Sequence, residues 1–153
     1  MKENKLENQF KYIGFRSDIS EVFAHADIFM GTCPVCGSLT SQLAAINHKP
    51  ILQYYLPNTD DDETEQAVCY NKSDLQISYS DKEKFLHEAS RLINDKEYRI
   101  KRGEEMYNAT LKPEQFNSIF IDAITQNIAP CPTKHVDYKE VLKRWWWLEE
   151  MGF

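Results

Sequence analysis

Basic residues are in deficit. Eighteen Lys and Arg against 24 Asp and Glu leave the 153-residue chain at a formal charge of −6, which argues against general nucleic-acid binding, since that favours a basic surface. No apolar run approaches the roughly 20 residues that span a bilayer. Residues 1–9 form a polar, charged segment in which no signal peptide is read. Cysteine is sparse: four residues suggest a reducing cytoplasm rather than a disulfide scaffold. Repeats and low-complexity stretches are absent. His25, His48, His87 and His135 are scattered, each read as surface or satisfied core rather than as a catalytic base. No paired histidines accompany Cys33, Cys36, Cys69 and Cys131, whose spacing matches no common structural zinc pattern, so no metal is expected. What is present is ordinary for one soluble domain with a real core: 42% hydrophobic and 27% charged residues.

The order of elements carries more. Phe10 to Phe15 reads as a short strand, rich in aromatic and β-branched residues. Asp18 and Glu21 match a capping box for a helix whose apolar face is Ile19, Val22, Phe23 and Ala26. A second strand is expected at Asp27 to Met30, then turn material from Gly31 to Gly37. Ser38 should cap a helix over Leu39 to Ile46, with Leu39, Leu43 and Ile46 on one face and Asn47 in the left-handed C-terminal turn. Pro50 to Leu56 is apolar almost throughout, as strands buried on both faces are. After the acidic loop Asp60 to Glu65 comes a fourth strand at Gln76 to Tyr79. Ser80 and Glu83 form another capping box before a helix striped by Phe85, Ala89, Leu92 and Ile93. Two more helices are expected at Asp95 to Ala109 and Pro113 to Gln126, the latter with Phe116, Ile119, Phe120 and Ala123 facing inward. A last helix, Tyr138 to Glu150, carries Trp145, Trp146 and Trp147. The alternation predicts an α/β fold: a Rossmann-like parallel sheet with helices on both faces, and ligands beyond the carboxyl ends of its strands.

Gly37-Ser38-Leu39-Thr40 follows a strand and opens a helix, where backbone N–H groups and the helix dipole suit a phosphate. Ser38, Thr40 and Ser41 could add hydroxyl donors. The plainer reading is a tight turn at Gly37 and a cap at Ser38.

The run from Gly37 to Ala45, followed by Lys49-Pro50-Ile51-Leu52, resembles the donor-site segment of GT-B glycosyltransferases. Tyr12-Ile13-Gly14-Phe15, Asp18-Ile19 and Ala24-His25-Ala26-Asp27-Ile28 are similar to the stretch that precedes it in that family. Phe85 to Leu92, Asp95, Tyr98-Arg99 and Phe116 resemble the family's closing helices. The resemblance covers roughly residues 10–127, leaving a linker and Trp-rich helix over 128–153. It implies part of a C-terminal GT-B domain, of the kind that builds bacterial surface polysaccharide. That domain binds a nucleotide-diphosphate sugar as donor substrate, with no separate cofactor, and faces an N-terminal acceptor domain. By position, Gly37, Ser38, Leu39 and Thr40 would meet the diphosphate, and Phe15 and Arg16 the nucleobase. Glu65 and Gln66 fall where relatives contact the sugar hydroxyls, although a solvated acidic loop is the favoured reading of Asp60 to Glu65. Leu43 occupies the place of a ribose-binding glutamate, so Gln42 beside it is the candidate substitute. His48 stands where a glycine is usual. The family's first strand, its glycine-rich turn and its acceptor domain have no counterpart here, and no catalytic residue can be assigned. The chain is therefore expected to be inactive alone: a piece of a longer protein, or a subunit completed by another chain.

Two other classes compete. Cys33-Pro34-Val35-Cys36 resembles a glutaredoxin motif, in which Cys33 would attack and Cys36 resolve. Against it, a strand and helix precede the motif. A non-catalytic binding module is the other, with Trp145 to Trp147, Lys143 and Arg144 offering peripheral contact with the inner face of a membrane. Glu149 and Glu150 oppose anionic lipid, which favours docking of the tryptophans on protein.

Overall fold

The computed structural model describes residues 8–33, 37–55, 68–71, 74–126 and 139. The chain divides into two compact units, Met1–Lys112 and Pro113–Phe153. The first contains α1 (Ile19–Ala24), β1 (Phe29–Met30), α2 (Ser38–Ile46), β2 (Ile51–Tyr54), β3 (Ser78–Tyr79), α3 (Lys82–Asn94) and α4 (Lys96–Ala109); α5 (Pro113–Gln126) belongs to the second.

The three strands form one parallel sheet in the order β1-β2-β3, with Phe29 opposite Ile51 and Gln53 opposite Ser78. This is a mixed α/β arrangement compatible with a Rossmann-like fold. Alternation along the strands separates two cores. Phe29 and Ile51 join Phe23 of α1, Ala44 and Ala45 of α2, and Met106 and Ala109 of α4. Ile28 and Leu52 point the other way, to Tyr79 with Phe85, Ala89 and Leu92 of α3. Helices thus cover both faces, and β2 between them is buried, as its apolar run required. Its one polar residue, Gln53, donates from Nε2 to Ser78 Oγ on the neighbouring strand.

Residues 10–15 depart from expectation. They form no strand; Tyr12 is 94% and Phe15 97% exposed, and Gly14 adopts φ 71°. Among the described residues no strand lies beside them, and a short apolar run without a ladder partner has nothing to hold it extended.

Several helix ends also differ by one residue. Asp18 precedes α1 without a side-chain cap, because its carboxylate is bound by Arg16. Gly37, not Ser38, is the N-cap of α2, and Ser38 is the first helical residue. Asp81, not Ser80, caps α3, accepting from Glu83 N at 2.8 Å and Lys84 N at 3.1 Å; a carboxylate serves the orphan amides and the dipole together. Asp95 does the same for α4 through Tyr98 N. The buried face of α2 is Ser41, Ala44 and Ala45, while Leu39 is 70% exposed. Small residues let this helix approach the sheet closely.

The turn after α2 is built around His48 rather than Asn47. Asn47 has φ −89°, whereas His48 has φ 57°. His48 N donates to Ala45 O and Lys49 N to Ala44 O, the paired bonds of a Schellman ending. Glycine is usual at such a position because a side chain costs energy there. Here the side chain has partners: its ring stacks on Tyr107 at 3.9 Å between centroids, and Nδ1 lies 2.8 Å from Glu104 Oε1. The backbone of the same turn presses on α4 at Gly103, where an added Cβ would fall 2.1 Å from His48 O.

In α3 the expected stripe loses Ile93, which is exposed, and gains Glu88, which is buried. Tyr98 donates its hydroxyl to Glu88 Oε1 at 2.8 Å, and Arg102 Nε lies 3.6 Å from the same oxygen. Arg102 also binds Glu105 and Gln76 O, and Arg91 covers the Tyr98 ring at 3.6 Å. Burial, then the bond to Glu88, raises the Tyr98 pKa above its ordinary value.

In the second unit, α5 begins at Pro113 as expected, with none of its residues buried. Ile119 and Ala123 are half-buried, whereas Phe116 and Phe120 are exposed and stack on each other at 5.9 Å. The inward stripe expected there is therefore not a buried one. Tyr138 to Glu150, with its tryptophans, lies outside the described residues except for Lys139. Among the described residues no helix is long and apolar enough to cross a membrane.

Candidate functional site

Because the sheet is parallel, the carboxyl ends of all three strands lie at one end. The Gly31 to Cys33 segment leaves β1 there, Tyr54 and Tyr55 end β2, and Ser80 and Asp81 follow β3. Two helices, α2 and α3, begin at that end, and their first turns are finished differently. On α3 the Asp81 carboxylate occupies two of the first amides. On α2 the N-cap is Gly37, in an extended conformation with no side-chain bond. The amides of Ser38, Leu39 and Thr40 belong to that first turn, where no helical acceptor exists. Gly37 and Leu39 are exposed, and Ser38 and Thr40 half-buried. A ligand anion at this turn would meet backbone donors and the positive end of the dipole without displacing a resident carboxylate.

The remaining candidates are less well gathered. Ser41 is buried and donates its hydroxyl to Gly37 O at 3.1 Å, so its proton serves the helix itself. Gln42 is half-buried, one residue beyond. Phe15 stands in solvent. Arg16 is engaged by Asp18: Nε donates to Oδ1 at 2.7 Å, and Nη2 pairs with Oδ2. This bidentate contact holds the Asp18 carboxyl below the usual range and raises the guanidinium pKa. Arg16 lines a shallow depression along α1 with Ile13, Glu21, Val22, His25 and Ala26. That depression includes none of Gly37 to Thr40. Glu65 and Gln66 lie outside the described residues.

Reasoning from sequence passed over Tyr54, Tyr55 and Ser80 at the same end of the sheet. The aromatic pair closing a buried strand was the available signal, since a ring at a strand's carboxyl end borders the ligand crevice of parallel sheets.

Cys33 is exposed, and residues 34–36, including its proposed partner Cys36, lie outside the described residues. Cys69 is buried, with its thiol directed to Leu75 O at 3.3 Å. Among the described residues no group of three or more His, Cys, Asp or Glu could hold a metal ion. No known protein family, no curated protein and no solved structure matches the chain.

Proposed function

We propose that the chain is the donor-binding portion of a GT-B glycosyltransferase. In this reading it holds a nucleotide-diphosphate sugar while the sugar passes to a glycan or lipid-linked acceptor in polysaccharide biosynthesis. The observation that carries the reading is the start of α2. It follows a strand of a parallel sheet, opens at the sheet's carboxyl end, and has a glycine N-cap where α3 has an aspartate. Diphosphates in Rossmann-like sheets are held at such turns.

The roles follow the resemblance. Gly37, Ser38, Leu39 and Thr40 receive the diphosphate, and Gln42 the ribose. Phe15 and Arg16 meet the base after Arg16 exchanges Asp18 for the ligand, and Glu65 and Gln66 meet the sugar. A leaving nucleoside diphosphate needs its developing charge stabilised in a closed site. Transfer therefore requires an acceptor domain or partner chain, and its setting is the cytoplasm, at the inner membrane face where a lipid-linked acceptor is met.

The test is titration of UDP, GDP and their sugars against the chain, followed by backbone amide shifts. Saturable shifts at residues 37–42, accompanied by shifts at Phe15 and Arg16 and at Glu65 and Gln66, are expected. Absence of any shift there with every nucleotide, even with a partner domain supplied, would refute the donor site.

A further inference from the structure

We propose that two copies of this chain associate, the 10–15 segment of each pairing with the open edge of β1 in the other. The two surfaces are complementary. Phe10, Tyr12, Ile13 and Phe15 place four large apolar side chains at half exposure or more within six residues, in a segment with strand composition and no strand partner. Isolated surface apolars are normal; four within six residues mark an interaction site.

The edge is the other half. Phe29 N bonds to Pro50 O and Gly31 N to Leu52 O, both on the β2 side. In a parallel ladder the N–H and C=O of Met30 between them point away, toward the outside of the sheet. Met30 is 61% exposed, and no described strand lies beyond it. The opposite edge is finished differently. There Arg102 Nη2 donates to Gln76 O at 2.7 Å, and Gln76 Nε2 to Ser78 O at 3.1 Å. Side chains thus occupy the outward carbonyls beside β3, whereas among the described residues none is seen on the outward carbonyl of Met30 in β1, and an open edge is a template for an added strand.

Among the described residues, the chain's own 10–15 segment adds no strand to this edge. A second copy brings the same segment in a reciprocal, twofold arrangement. Local charges agree: Lys11 lies on the segment, and Asp27, 80% exposed and paired on one side with Arg99 at 3.3 Å, lies just before β1. At roughly 150–250 Å² per aromatic side chain, the two segments bury on the order of 1,000 Å² before the edges are counted. That is near the lower limit for a specific interface, so association should be weak, about micromolar. No part of this depends on the donor-site reading.

Light scattering and sedimentation of the full chain over about 1 to 100 µM, a range chosen to bracket such an affinity, give the first readout. The expected result is a monomer that becomes a dimer across that range. Amide exchange at residues 10–15 should slow as concentration rises. Phe15→Lys and Tyr12→Lys should each weaken dimerisation at least tenfold, while the melting temperature at low concentration stays unchanged because both side chains are exposed. Phe120→Lys in α5 should leave the dimer intact. A monomer at every concentration overturns the proposal. So does a dimer that ignores Phe15→Lys or is abolished by Phe120→Lys alone.

Discussion

Replacement of Gly103 by alanine tests the packing of α4 against the turn at His48. Alanine in a helix interior is intrinsically better than glycine by about 1 kcal/mol. Were Gly103 in open space, the variant would therefore be more stable than the parent. The structure reverses the sign. The new methyl would sit 2.1 Å from His48 O and 2.9 Å from its carbonyl carbon. Relief requires α4 or the turn to move by about 1 Å, the shortfall from ordinary van der Waals separation. The turn cannot yield cheaply, since His48 is fixed by its backbone bonds to Ala45 and by Glu104 and Tyr107. Overpacking costs about 1–3 kcal/mol, and a backbone obstacle belongs at the upper end. Net destabilisation should be about 2 kcal/mol, which lowers the melting temperature of a unit this size by about 8 °C. Urea unfolding at constant m-value, together with thermal melts, measures it. Lys101→Ala on the same helix, exposed and only loosely paired to Glu105 at 3.9 Å, should stay within about 0.5 kcal/mol of the parent. A Gly103→Ala protein as stable as the parent, or more so, would refute the packing.

Asp81→Ala removes the side-chain cap of α3 and should cost about 1 kcal/mol in urea unfolding, with Ser80→Ala near zero as its contrast. Tyr98→Phe deletes a hydrogen bond to a buried carboxylate and should cost about 1.5–3 kcal/mol; a loss below about 0.5 kcal/mol would discount the pair. Because the folded state raises the Tyr98 pKa, its contribution is fully present below the ordinary tyrosine range near 10 and is lost as pH rises through the higher folded value. Tyr98→Phe should remove that alkaline limb from a stability profile. Gly37→Asp should separate stability from binding. Among the described residues an added Cβ there meets the Thr40 side chain, at 3.3 Å, so a carboxylate would improve the cap by a few tenths of a kcal/mol. The same charge opposes a diphosphate, so nucleotide affinity, measured by the amide titration, should fall at least tenfold. Affinity that survives Gly37→Asp would place the anion elsewhere.

Sequence made the centre of the fold legible because burial there leaves a composition. An apolar run such as Ile51 to Tyr54 could hardly be other than a two-sided strand, and the spacing of Phe85, Ala89 and Leu92 placed α3. Errors fell where the deciding partner is remote. Ser80 and Asp81 are both good caps, and only backbone geometry selects between them. Glu88 looks like a surface residue until Tyr98 and Arg102 are brought beside it from α4. His48 occupies a glycine's conformation because Glu104 and Tyr107, more than fifty residues on, hold its side chain. Phe10 to Phe15 has strand composition, but composition does not supply a neighbour. At the candidate site the Gly37 turn was legible as glycine before a helix, whereas the pairing of Arg16 with Asp18 was not.

The fastening at His48 also makes α2 a lever. Its C-terminal end is pinned between the Schellman bonds and Gly103, whereas its first turn has no side-chain cap. Nine residues at 1.5 Å each span about 13 Å. A tilt of about 5° around the pinned end therefore moves the Gly37–Thr40 amides by about 1 Å, a displacement large enough to spoil a closely fitted anion site. The fulcrum and the site lie at opposite ends of one short rod, so a disturbance at Gly103 should register in amides that no side chain of α4 needs to touch.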